Sequence, residues 1–167
     1  SFSTTMEKVG NQPYAVTLHC ADAVVSGNTI QGFTGALSVN LNGNGGDVEI
    51  SGNDIDVIPT GDSNSVAFKV HGKIGGSTWD ISGNEVSNTS SGLCVNSPAE
   101  GDPAVINSSD NTYRDCENPI IFTLDESQTP PSVESVGDRA YEDGREVQIV
   151  PVSTKGVPMD DVVNVTP

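Results

Sequence analysis

The phrases VVSGNTI, DVEISGNDI and TWDISGNEV repeat one pattern, apolar–Ser–Gly–Asn–x–apolar, with asparagines at Asn28, Asn53 and Asn84. A looser copy, VINSSDNTY, adds Asn111, so the steps are 25, 31 and 27 residues. Self-similarity at intervals of roughly 20–50 residues marks a stacked, repeating architecture. This constrains the chain more than any single motif. Between the copies lie second apolar segments: YAVTLHC (14–20), ALSVNL (36–41), SVAFKVHG (65–72), GLCVNS (92–97) and PIIFTL (119–124). The chain therefore alternates an apolar strand with a strand that ends in the Gly-Asn corner. Before the corner, Val48 and Ile50 flank Glu49, and Trp79 and Ile81 flank Asp80, the period-two signature of strands.

One such cycle cannot bury its own apolar face. Stacked cycles can, because the inward residues of each coil pile on those of the next. The geometry that satisfies this is an all-β, short parallel β-helix of about four to five coils, each about 4.8 Å above the last. Asn28, Asn53, Asn84 and Asn111 are predicted to form one ladder, each amide donating to its counterpart a coil away. Asparagine also tolerates the left-handed backbone that a tight corner needs. Ile30, Ile55, Val86 and Tyr113 are predicted to stack beside the ladder. The domain reading is an N-terminal lead-in over 1–13, the β-helix over 14–125 and an irregular, partly extended segment over 126–167. That last segment is Pro-rich and acidic, with one convincing strand, REVQIVPV, and reads as a cap or a subunit-joining arm. The Gly/Pro-rich corners NGNGG (42–46), PTGDSN (59–64), GKIGGST (72–78) and SPAEGDP (97–103) are where a solenoid commonly builds its working face.

ISGNDI and ISGNEV resemble the parallel β-helix repeat of the pectin-lyase-like superfamily, over roughly residues 14–125. That superfamily includes polysaccharide lyases and hydrolases, viral tailspikes and surface adhesins. The resemblance implies a right-handed solenoid and leaves the activity open, because the scaffold hosts many. The Asn-Thr-Asp, Asp-Asp and Gly-His-Gly signatures of its pectin hydrolases are absent, and HGK (71–73) echoes them only superficially.

Charge narrows the partners. Twenty-three acidic residues face seven basic ones, a formal net charge of −16, which repels phosphate backbones and anionic membranes. Nucleic-acid binding and membrane insertion are therefore not expected, and an acidic, Lys-poor surface also suits high salt. Aligning the coils on their asparagines pairs Glu49 with Asp80 and Asp54 with Glu85 on adjacent coils. Such pairs read as plain acidic surface, as a Ca²⁺ site, or as a carboxylate pair near the separation of a retaining glycosidase. A lyase base would have to come from Lys69, Lys73 or Arg114, none of which sits in a catalytic motif. His19 and His71 read as solvent-facing, and Trp79 as core. The sequons at Asn88, Asn107 and Asn164 would accept N-linked glycan in a glycosylating host. Of three cysteines, Cys94 and Cys116 are 22 residues apart, close to one coil, and are predicted to form a disulfide with Cys20 left free.

These readings combine into a non-catalytic extracellular, cell-surface or virion module, a spike, fibre or adhesin-like domain, with carbohydrate as a candidate ligand. Its partners would be itself, as a homo-oligomer or polymer, a larger parent assembly, or a surface glycan. Two alternatives stay open: a polysaccharide lyase or glycoside hydrolase working along the coils, and a structural subunit of a filament or sheath.

Overall fold

The computed structural model of the chain describes residues 2–3, 14–41, 45–58, 65–96, 102–123, 130–154 and 163–166. There is no helix among them, and three sheets of parallel strands wind into a β-solenoid of about four turns. Each coil contributes three strands, one more than the repeat suggested. The return sheet stacks Tyr14–Cys20, Gly35–Leu41, Val66–Gly72, Ser91–Asn96, Asn118–Thr123 and Val152–Ser153. The pre-corner sheet stacks Ala23–Ser26, Asp47–Ser51, Thr78–Ser82, Val105–Ser109, Ser132–Val136 and Val163–Thr166. After the corner come Phe2–Ser3, Thr29–Phe33, Asp54–Val57, Glu85–Ser87, Thr112–Arg114 and Arg139–Glu142, and the antiparallel strand Arg145–Val147 closes this post-corner sheet.

The core follows from the alternation. Val48, Ile50, Trp79 and Ile81 are buried, while Glu49 and Asp80 between them are exposed. In register the inward positions become columns. Val48, Trp79, Ile106 and Val133 form one in the pre-corner sheet. Leu37, Phe68, Leu93 and Ile120 form another in the return sheet. Ile30, Ile55, Val86 and Tyr113 stack as predicted, with Ala140 next. Each fully buried aliphatic or aromatic side chain of these columns contributes about 1.5–3 kcal/mol.

The asparagine ladder is present and directional. The backbone N–H and the side-chain amide of Asn28 both donate to Asn53 Oδ1, at 3.0 and 3.1 Å. Asn53 repeats this toward Asn84 at 2.9 Å for both, and Asn84 toward Asn111 at 3.0 and 2.8 Å. Each amide also reaches a strand carbonyl: Asn53 to Val25, Asn84 to Ile50 and Asn111 to Ile81. The ladder has a fifth rung that the sequence reading missed. The backbone N–H and the side-chain amide of Asn111 both donate to Asp138 Oδ1, at 2.8 and 2.9 Å, and the Ser135 hydroxyl donates to Oδ2 at 2.6 Å. SVGD is thus a fifth copy of the corner phrase, disguised by Val for Ser and Asp for Asn.

One expectation about the corner is corrected. The left-handed residue is the one before each rung, not the asparagine. Gly27, Gly52, Gly83 and Gly137 take φ of 64, 59, 59 and 70°, and Asp110 takes 53° in the fourth copy. Glycine has no Cβ to clash there, so it stands at four of the five corners. The asparagine is selected by its ladder bonds.

The end of the β-helix at residue 125 is also corrected. Ser132–Val136 pairs in parallel with Val105–Ser109, Arg139–Glu142 with Thr112–Arg114, Val152–Ser153 with Asn118–Thr123, and Val163–Thr166 with Ser132–Val136. The segment expected to be a cap or arm therefore continues all three sheets. The lead-in contributes too, since Phe2 pairs with Ile30. The corners 42–44, 59–64 and 97–101 lie outside the described residues.

In the upper coils the core turns polar. Ser108 and Ser135 occupy the column that Val25, Ile50 and Ile81 fill below. Beside them the Tyr113 hydroxyl is fully buried without a hydrogen-bond partner, although Ser108 is near. Burial and then Asp138 push its pKa well above the phenol range. An orphaned buried hydroxyl costs about 1–3 kcal/mol. Tyr113→Phe should therefore raise stability by about 1 kcal/mol in urea unfolding. A loss of stability would show that the hydroxyl is satisfied.

Asp138 offers a second test. At the lower rungs the side-chain nitrogen donates to a carbonyl, and continuing that step points position 138 at the Ser108 carbonyl. A carboxylate presents only acceptors. Asp138→Asn keeps the oxygen that Asn111 needs, adds a donor and turns the Ser135 hydroxyl from donor to acceptor, as Ser108 is toward Asn111, so it should stabilise the fold by about 1 kcal/mol. A markedly lower melting temperature would refute that reading of the rung.

Candidate functional site

The predicted acidic pairs are in register. Glu49 lies beside Asp80 in the pre-corner sheet, and Asp54 beside Glu85 in the post-corner sheet. Like charges on adjacent coils repel. Here most of them have partners that blunt the repulsion. The Ser51 hydroxyl donates to Glu49 at 2.7 Å, the Asn107 amide to Asp80 at 2.8 Å, and Arg114 Nε to Glu85 at 2.7 Å. No group of three or more His, Cys, Asp or Glu side chains able to hold a metal ion occurs among the described residues. Of the sequon asparagines, Asn107 is thus tied to Asp80. Asn88 is exposed at φ 58° and donates to Asp56 at 2.7 Å. Asn164 is exposed on the last pre-corner strand.

The predicted disulfide does not form, and Cys20, Cys94 and Cys116 are all free thiols. The reason is the length of the coil. The residue in register with Cys94 on the next return strand is Ile121, so Cys116 falls five positions short, in the bend after Thr112–Arg114. Burial pushes the Cys116 thiol up to about 12, which leaves it unreactive as a nucleophile.

The histidines share one column, His19–Asn40–His71, on the return sheet. His71 is half-buried, and its Nε2 lies 2.8 Å from the hydroxyl of buried Ser38. Burial, then Lys69 and His19, hold its pKa below the usual histidine value. The folded chain therefore resists a proton that the unfolded chain accepts. The stability tied to neutral His71 is present above about pH 6.5 and is lost as pH falls through the lowered folded value. Urea midpoints measured on either side of about pH 6.5 should show this step in the native chain and a flatter one in His71→Gln.

The arrangement best suited to holding a ligand lies at the upper end of the post-corner sheet. Here Arg114 is in register with Tyr141, and Thr112 with Arg139. The Arg114 guanidinium lies 4.9 Å from the Tyr141 ring centre, a cation–π contact. Tyr141, then Glu146 and Asp110, raise the Arg139 pKa further. Tyr141, Arg139, Thr112, Glu146, Asp110 and Asp138 surround a recess of about 550 Å³. An aromatic ring beside fixed planar donors and carboxylate acceptors can stack an apolar ring face while pairing the hydroxyls around it. Sequence reasoning missed this site, apart from naming Arg114. Arg139 and Tyr141 lie beyond the supposed end of the solenoid, and only recognising SVGD as a corner would have aligned them.

Compared with known proteins, the chain matches no family model, no curated protein and no solved structure. Among the described residues no helix is long and apolar enough to cross a membrane.

Proposed function

We propose that this chain is a non-catalytic, surface-displayed β-helix module, of spike, fibre or adhesin type, that recognises carbohydrate at the Tyr141 recess. The observation that carries the reading is the juxtaposition of Tyr141 and Arg139 over a recess with hydroxyl-pairing groups at its rim, the Tyr141 ring being held by Arg114. The pectin-lyase-like affinity belongs to the same proposal and rests on the asparagine ladder and the corner phrase. The recess lining holds Asp110, Asp138 and Glu146 against Arg139 alone, within a chain of net charge −16. A neutral glycan therefore fits better than a polyuronate. The non-catalytic part is supported by the engaged carboxylates: Asp80, Glu85 and Glu49 each accept a hydrogen bond from a neighbour.

The test is a binding panel of neutral oligosaccharides and polyuronates, with cleavage products measured in parallel. Tyr141→Ala should weaken neutral-glycan binding at least about tenfold, equivalent to one lost stacking contact and its hydrogen bonds. Its stability should fall by no more than about 1 kcal/mol, the worth of the lost Arg114 contact. Failure of every glycan to bind would defeat the reading. So would polysaccharide cleavage that Asp80→Asn or Glu49→Gln abolishes.

A further inference from the structure

The closing hairpin separates the glycan recess from a second cavity of different chemistry. Between the bend 115–119 and the segment 142–152 runs a groove of about 690 Å³. Asp115, Glu117, Glu142 and Asp143 line it, together with Val147, Val150 and Val152, and no lysine or arginine among the described residues does. These valines are 39, 60 and 37% exposed and fall within six residues. Among the described residues the other exposed valines, Val24, Val105 and Val136, are spread over three strands. A local run of uncovered aliphatics marks an interaction surface better than scattered ones do. The groove is held in shape by the backbone. Asp115 and Asp143 both adopt left-handed conformations, at φ 52 and 48°, and the Asp143 N–H donates to Asp115 Oδ1 at 3.0 Å.

We propose that this groove binds a basic, aliphatic peptide segment of a partner protein. The valines would cover its branched side chains, and the four carboxylates would face its lysines or arginines. Charge complementarity chooses this occupant. An acidic peptide is repelled, and a second copy of this chain brings a net charge of −16 to an acidic rim. The carboxylates also serve to hasten encounter, and the valines to set the dissociation rate.

The test uses the full chain and labelled synthetic peptides in fluorescence anisotropy: alternating Lys-Val, alternating Lys-Ser and alternating Glu-Val. The Lys-Val peptide should bind, with an affinity that falls as salt rises. The Lys-Ser peptide should bind at least about five-fold more weakly and Glu-Val should not bind, because one lost aliphatic contact removes roughly that factor. Val150→Ser, at an exposed position that the fold does not need, should weaken Lys-Val binding about as much. Glu142→Gln with Asp143→Asn should weaken it further, and asparagine tolerates the left-handed turn at 143. Glu49→Gln, on another sheet, should leave it unchanged. Equal binding of Lys-Val and Lys-Ser peptides, or equal loss in Glu49→Gln, would reduce the effect to general charge attraction and overturn the proposal. So would absence of any binding, or self-association of the chain that Val150→Ser abolishes. Tyr141→Ala should leave peptide binding intact, so this test and the glycan test fail separately.

Discussion

Asn84→Ala should cost about 3–5 kcal/mol, a large share of the roughly 5–15 kcal/mol by which a domain of this size is stable. The side chain sits mid-ladder and is 1% exposed. Its oxygen accepts the Asn53 backbone N–H and the Asn53 amide, and its nitrogen donates to Ile50 O and Asn111 Oδ1. Alanine replaces none of these bonds. The Asn53 N–H is left without an acceptor in a site that water cannot reach, and each such group costs about 1–3 kcal/mol. The ladder's direction makes the prediction specific. Asn28 stands at the lower end, half-buried, and among the described residues only donates along the ladder, so Asn28→Ala should cost about 1 kcal/mol or less. Asn84→Asp should be as damaging as alanine, because it turns an oxygen toward Asn111 Oδ1 and Ile50 O. Urea unfolding followed by the fluorescence of Trp79 measures all three. Equal costs at positions 28 and 84 would contradict the ladder as the source of stability.

Much of this fold was legible because a solenoid writes its geometry into the spacing of the sequence. The Gly-Asn phrase located three corners and its looser Asp-Asn copy a fourth, and alternation around Glu49 and Asp80 gave the inward columns. Two things hid the rest. A coil here ranges from 25 to 31 residues between rungs, so a spacing of 22 looked close enough to one coil to join Cys94 to Cys116. The spacing is correct only when counted from the same corner. In addition, the fifth corner keeps the physics of the phrase and changes its letters. Gly137 keeps the left-handed turn and Asp138 keeps the acceptor, while the amide and the preceding serine are gone.

The candidate sites were less legible for a related reason. A binding recess needs residues from adjacent coils at fixed register, and register is lost once one corner goes unrecognised. Arg114 was visible in the sequence as a lone cation. Its meaning depends on Tyr141, 27 residues on, which the register places one coil above it. The acidic pairs show the opposite case. Their adjacency was read correctly, but their partners Asn107 and Arg114 were not, because hydrogen bonding across coils follows side-chain reach as well as register.

Trp79→Ala should destabilise the chain by about 3–5 kcal/mol, the usual cost of emptying a large aromatic site in a core. Trp79 is fully buried at the centre of the pre-corner column, between Val48 and Ile106. Its indole N–H donates to the Ser77 hydroxyl at 2.7 Å, and that hydroxyl donates to the Ile74 carbonyl. The indole therefore fills the third coil and also ties the corner before it to the core. Stacked strands above and below fix the backbone spacing, so the coil cannot collapse into the void as a helix end or a loop could. Trp79→Phe should recover more than half of the loss, because it refills most of the volume and leaves Ser77 its bond to Ile74. The substitution removes the chain's only tryptophan, so unfolding must be followed by circular dichroism in the strand region. A cost below about 1.5 kcal/mol, the range of volume-conserving core changes, would mean that the columns do not pack as a rigid stack.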